Sequence, residues 1–197
     1  MTMMLDRRGF LGGAAALAAF TLCTAHTPYR QWQVYRQRHL LILTSREDEP
    51  SYPIGQAIAD FLVETLPESA ARVTRAPTIE RFASLISTGQ LDVGVLSRAL
   101  AAALLKGEPP FTAFGPTDIR TLMPMDGHLL ICRGDFPDRH AYVLAAALSD
   151  RAAPFVEGGI AGADLPVPWH EGVTAFREGH PPPDTAVEAS SGASGGQ

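Results

Sequence analysis

Hydroxyl and guanidinium side chains recur where three apolar-periodic segments begin or end. They are Ser45, Ser51 and Tyr52, then Thr78 with Arg75 just before it, then Ser97 with Arg98. Hydroxyls beside free helix-end N–H groups are hydrogen-bond donors, and the positive end of a helix dipole favours negative charge. The chemistry they suit is non-covalent capture of a carboxylate or another small anion. In that arrangement Ser45 and Ser97 donate to carboxylate oxygens, and Tyr52 packs or hydrogen-bonds. Thr78 is a helix-end donor, and Arg98 or Arg75 supplies the counter-charge. Any one of these Ser or Thr residues has an ordinary use as a helix cap; three such loops on one rim make a site.

A rim of that kind needs parallel strands with helices behind them. Residues 40–44 are an unbroken apolar run, the mark of a strand buried on both faces. Ser51 caps a helix opened by Tyr52-Pro53, since proline suits the first helical turn, and Ile54, Ile58, Phe61 and Leu62 give it one apolar face until Leu66-Pro67 ends it. Residues 71–76 form a second strand, 78–88 a second helix capped by Thr78 and closed by Gly89, and 91–96 a third strand. A short helix follows over 98–106, then strands over 121–125 and 128–132 and a helix over 138–150. This β-α-β-α-β-α-β order predicts an α/β fold, a mostly parallel sheet with helices on both faces. Ligands of such sheets bind beyond the carboxyl ends of the strands.

Composition narrows the alternatives. A formal net charge of −5 argues against a nucleic-acid partner. The six histidines show no tight zinc-type spacing, and His170 beside Trp169 reads as a packing or capping residue, so no metal or other cofactor is expected. Glu47-Asp48-Glu49 lacks the spacing of a calcium loop and reads as a solvated turn. Cys132, in the apolar stretch Leu129-Leu130-Ile131-Cys132, reads as a buried inert thiol. Gly158-Gly159 and Gly162 mark a connector rather than a phosphate loop, and no nucleophile-elbow context is present, so no enzyme activity is expected.

The first residues carry a different message. Asp6-Arg7-Arg8-Gly9-Phe10-Leu11 precedes a short apolar core ending at Phe20, with small residues before Ala25. The pattern resembles a twin-arginine export signal over 1–25, with cleavage after Ala25 and delivery to the periplasm. The apolar core is half of what a spanning helix needs. Cys23 is a possible lipidation point, although Leu22 stands where a small residue belongs. Residues 26–38 read as a tether, 39–180 as one domain, and the Pro-, Ser- and Gly-rich stretch 181–197 as a disordered tail.

The domain resembles a known family. Leu41-Ile42-Leu43-Thr44-Ser45, then Tyr52-Pro53-Ile54-Gly55, then Thr88-Gly89-Gln90-Leu91-Asp92-Val93-Gly94-Val95 look like the first lobe of a TAXI-type solute-binding protein. Leu165-Pro166-Val167-Pro168-Trp169-His170-Glu171-Gly172 and Phe176-Arg177-Glu178 look like that family's closing segment. These proteins are the extracytoplasmic receptors of TRAP transporters. The resemblance implies a single periplasmic-binding-protein-like lobe, a small organic-acid or amino-acid-like ligand, and TRAP membrane subunits as partners. The chain departs from the family at Leu96, where a polar side chain is common before Ser97, and in two further ways. Ser45-Arg46-Glu47-Asp48-Glu49 replaces a glycine-rich loop, and the first-lobe strands run almost directly into the closing segment. An interaction module that docks on an exported enzyme or a membrane transporter is the alternative. A hydrolase is a third, and it needs a base near Ser45 or Ser97.

Overall fold

Strand β1 (Leu41–Ser45) is buried on both faces, as its apolar run requires: Ile42 enters one core and Leu43 the other. In this computed structural model the described residues are 39–125, 127–149 and 165–183. They form an α/β fold. After β1 come helix α1 (Ser51–Thr65), β2 (Arg72–Ala76), α2 (Ile79–Ser87), β3 (Val93–Ser97) and α3 (Arg98–Lys106). Strands β4 (Ile119–Pro124) and β5 (His128–Arg133) follow, then helices α4 (Asp138–Ser149) and α5 (Glu171–Arg177). The expected signal and tether, the glycine connector and residues 184–197 of the expected tail lie outside the described residues.

The sheet runs β2-β1-β3-β5-β4. Strands β2, β1 and β3 are parallel, whereas β5 is antiparallel to both β3 and β4. The sheet is therefore mixed but mostly parallel, with β5 the reversed member. The reversal comes from the tight turn between β4 and β5, where Met125 and His128 exchange backbone hydrogen bonds and Gly127 takes φ +65°. Helices α1, α4 and α5 cover one face around Ile42, Val93, Val95, Leu130 and Cys132. Helices α2 and α3 cover the other around Leu43, Phe82, Leu96, Leu104 and Ile131. Burial pushes the Cys132 thiol far above its ordinary range, so the inert thiol read from the sequence is what the core holds.

Two glycines explain how closely the helices approach. A Cβ at Gly55 would lie 2.8 Å from Thr44 Cγ2, so α1 rests directly on β1. A Cβ at Gly94 would lie 2.6 Å from Phe82 Cζ and 3.1 Å from the Leu43 carbonyl, so the Phe82 ring lies flush on β3. Thr78 caps α2 as expected, accepting from the Arg81 N–H at 3.2 Å. Ser51 does not cap α1. The helix starts at Ser51 itself with Pro50 before it, and the Ser51 hydroxyl turns back to the preceding loop.

The segment 165–170 closes the β4 edge. The Thr121 N–H donates to Pro168 O at 2.8 Å, and the His170 N–H donates to Thr121 O at 3.0 Å. The buried His170 ring then ties this segment to the start of α5 and to Phe136 after β5. Its Nδ1 accepts from the Gly172 N–H at 3.1 Å, capping α5, which leaves Nε2 to carry the proton donated to Phe136 O at 2.8 Å.

Two stability outcomes follow from these contacts. Gly94→Ala forces a methyl into Phe82 and costs about 1–3 kcal/mol; a urea midpoint unchanged from the parent chain contradicts the close approach. His170→Ala removes a cap and strands a buried carbonyl, at about 2–3 kcal/mol. His170→Asn, which restores only the cap, recovers part of that loss in the same measurement.

Candidate functional site

The parallel registers bring the three expected loops together. Ser45 pairs with Ala76, and Leu43 with Gly94, so the carboxyl ends of β2, β1 and β3 share one edge. The N-termini of α1, α2 and α3 start from that edge. The β4–β5 turn joins it from the other side, since Ser97 pairs with His128 and the Arg98 N–H donates to Gly127 O at 3.0 Å.

The acidic turn after β1 sits across this edge, and it is not the solvated loop its composition suggests. Asp48 is only 7% exposed. Its Oδ2 accepts from the Ser97 N–H at 2.9 Å, and its Oδ1 lies 3.2 Å from His128 Nε2, on a ring that is itself buried. Glu47 is exposed, yet its Oε2 accepts from the Ile79 N–H at 2.8 Å, at the positive end of α2. The chain's own carboxylates thus hold two of the amides that the sequence reading assigned to a guest. Glu49 alone behaves as a surface acid, 3.5 Å from Arg75 Nη2.

The expected site residues divide into two groups. Ser45 and Ser51 are fully buried and serve the turn. The Ser45 N–H donates to Ser51 Oγ at 3.2 Å, Ser51 Oγ donates to Asp48 O at 2.6 Å, and Ser45 Oγ accepts from the Glu47 N–H at 3.2 Å. Both hydroxyls thus take part in the closed turn between β1 and α1, Ser51 as donor and acceptor and Ser45 as acceptor. Tyr52, Thr78, Ser97 and Arg98 remain at the rim. Tyr52 is 39% exposed, with the Arg75 guanidinium 4.9 Å above its ring. Arg98 is half-buried, and its Nη2 lies 3.5 Å from Met125 O.

Asp48, Glu47 and His128 are the site residues that sequence reasoning missed. The short link between β1 and α1 is a usable signal for the acids, because a turn that short must cross the neighbouring strand ends. His128 has no local signal; it reaches the site only because β5 runs antiparallel to β3. It does set a base opposite Ser97, which the hydrolase alternative required. An oxyanion hole needs free donors, and the Ser97 and Arg98 amides are already committed to Asp48 and Gly127.

Elsewhere, a cleft of about 570 Å³ opens at the opposite edge of the sheet, between Leu41, Leu91, Val93 and the start of α4, and it contains none of the expected residues. Among the described residues no group of three or more His, Cys, Asp or Glu side chains is placed to hold a metal ion. No helix among them is long and apolar enough to cross a membrane. No protein-family model matches the chain, and no curated protein matches it significantly.

The two carboxylates differ in burial, and so in the cost of losing them. Asp48→Ala takes a buried acceptor from the Ser97 amide and the His128 ring, at about 2–4 kcal/mol. Glu47→Ala removes an exposed helix-end contact and costs about 1 kcal/mol or less. Equal shifts in the urea midpoints of the two variants contradict this ranking.

Proposed function

We propose that the chain is an exported, non-enzymatic solute-binding lobe of the TAXI kind. In this reading the carboxyl edge of β2-β1-β3 recognises a small carboxylate-bearing ligand, such as a dicarboxylate or a glutamate-like molecule. One observation carries it: two main-chain donors on that edge, at Ile79 and Ser97, already hold carboxylate oxygens. The Ile79 amide, at the positive end of α2, becomes a donor for a guest's carboxylate when exposed Glu47 leaves it, and Asp48 is an acid that the same edge already holds. The twin-arginine pattern of Asp6-Arg7-Arg8-Gly9-Phe10-Leu11 supports export, and the family resemblance supports delivery to TRAP membrane subunits.

Exposed Glu47 is the group a ligand displaces, whereas buried Asp48 stays in place. Tyr52, Arg75, Thr78, Ser97 and Arg98 then line the guest. Commitment of the Ser97 and Arg98 amides supports binding over hydrolysis. The same self-occupancy favours a second reading, a lobe that docks on an exported enzyme or membrane transporter. A single lobe leaves half of a small ligand in water, and a protein surface covers exposed Tyr52 more completely.

Calorimetry with a panel of C4–C5 dicarboxylates and acidic amino acids distinguishes the two. The expected result is heat with at least one acid and an affinity lowered about tenfold or more by Arg98→Gln, which removes a charged donor. No heat with any acid removes the small-ligand reading. A stoichiometric complex of the full chain with a TRAP membrane subunit, lost on Tyr52→Ala, then selects the docking lobe.

A further inference from the structure

The two edges of the sheet are treated differently. The β4 edge is covered by the chain's own 165–170 segment, through Thr121. Among the described residues strand β2 is the other edge and pairs only with β1. The Arg72 N–H donates to Leu40 O at 2.9 Å, and Ala76 O accepts from the Arg46 N–H at 3.0 Å. In a parallel ladder alternate residues face the same neighbour. Arg72, Thr74 and Ala76 therefore turn their main-chain groups to β1, and Val73 and Arg75 turn theirs outward.

The side chains along this edge are specific. By alternation Val73 and Arg75 lie on the α1 side, and Arg72 lies on the other side and is exposed. Beside Val73 a cleft of about 500 Å³ has apolar walls at Ala59, Val63, Pro67 and Ala71, with Gln56 and Asp60 on its α1 side, and Val63 is 50% exposed. The acids of a partner must therefore lie towards the arginines and away from Asp60. Arg75 Nε is buried and has no hydrogen-bond partner among the described residues. The guanidinium is held by the Tyr52 ring and by Glu49, whose side chain is 84% exposed. A surface pair of that kind is worth little, so another carboxylate replaces Glu49 at small cost.

We propose that β2 is a docking edge for an extended acidic segment of a partner protein, which adds to the sheet as a sixth strand. The outward N–H and C=O groups of Val73 and Arg75 supply the ladder. On the α1 side an apolar residue of the partner enters the cleft beside Val73, and a carboxylate two residues away meets Arg75. Charge decides against a second copy of this chain: two β2 strands paired antiparallel through Val73 and Arg75 bring Arg75 opposite or diagonal to its own equivalent, and facing like charges destabilise a sheet. Arg75 thus blocks self-pairing, the usual hazard of a bare edge, and admits an acidic strand. This inference does not depend on the small-ligand reading.

The test uses the full chain and two labelled nine-residue peptides, Val-Thr-Asp-Thr-Val-Thr-Asp-Thr-Val and its counterpart with Lys in place of Asp. Fluorescence anisotropy is expected to detect the acidic peptide and not the basic one. Arg75→Gln weakens binding about tenfold. Val73→Pro removes an outward donor without touching the β1 ladder and abolishes binding. With peptide present, hydrogen exchange at the Val73 and Arg75 amides slows about tenfold or more. Equal binding of both peptides, or unchanged exchange at those two amides, overturns the proposal. Concentration-dependent dimerisation that Arg75→Gln alters makes a second copy the occupant and overturns it as well. If Val73→Pro fails to fold, Arg75→Gln and the exchange measurement carry the decision.

Discussion

The carboxylate of Asp48 is the contact on which the carboxyl edge of this sheet depends. It leaves the turn after β1, accepts from the Ser97 amide at the end of β3, and meets the His128 ring at the start of β5. Three strands from distant parts of the sequence are thereby tied through one buried acid. The tie also sets the turn itself, because Ser51 Oγ donates to Asp48 O while it accepts from the Ser45 N–H. A buried carboxylate is tolerated only when its lone pairs are filled. The positions of Ser97 and His128 are therefore as constrained as that of Asp48.

This constraint shapes what the edge can recognise. Helix-end amides attract anions in general, but here the chain supplies the first two anions itself. What is left outward is a rim of side chains rather than bare backbone: Tyr52 under Arg75, Thr78 over the start of α2, and Arg98 beside the β4–β5 turn. A flexible side-chain rim discriminates less sharply by shape than a backbone cradle and responds more to charge.

The fold was legible because its signals are strong and local. The apolar run of β1, the periodic face of α1, the Thr78 cap and the glycine after α2 each determine one element from a few residues. The antiparallel pairing of β5 with β4 was written in Asp126-Gly127, a two-residue hairpin signal between two apolar runs that the sequence reading passed over, whereas the insertion of β5 beside β3 was not legible. That insertion depends on long-range pairing with β3. The site was half legible for the same reason. Tyr52, Thr78, Ser97 and Arg98 follow from strand ends and helix starts. The burial of Asp48 depends on partners 49 and 80 residues away, and composition made its segment look like a solvated loop.

The two edges of the sheet apply the same physics in opposite ways. At β4, Thr121 gives its N–H to Pro168 and its carbonyl to the His170 amide, and the His170 ring anchors that covering segment to Phe136 and to the first turn of α5. At β2 the chain leaves two residues' ladder groups turned outward and guards them with Arg72 and Arg75. A covered edge is closed to every partner, whereas a charged one is closed only to partners of the same charge. Charged side chains therefore stand at both places, the carboxyl rim and the β2 edge. Arg75 stands where the two meet, with its guanidinium over Tyr52 and its backbone on the outer ladder.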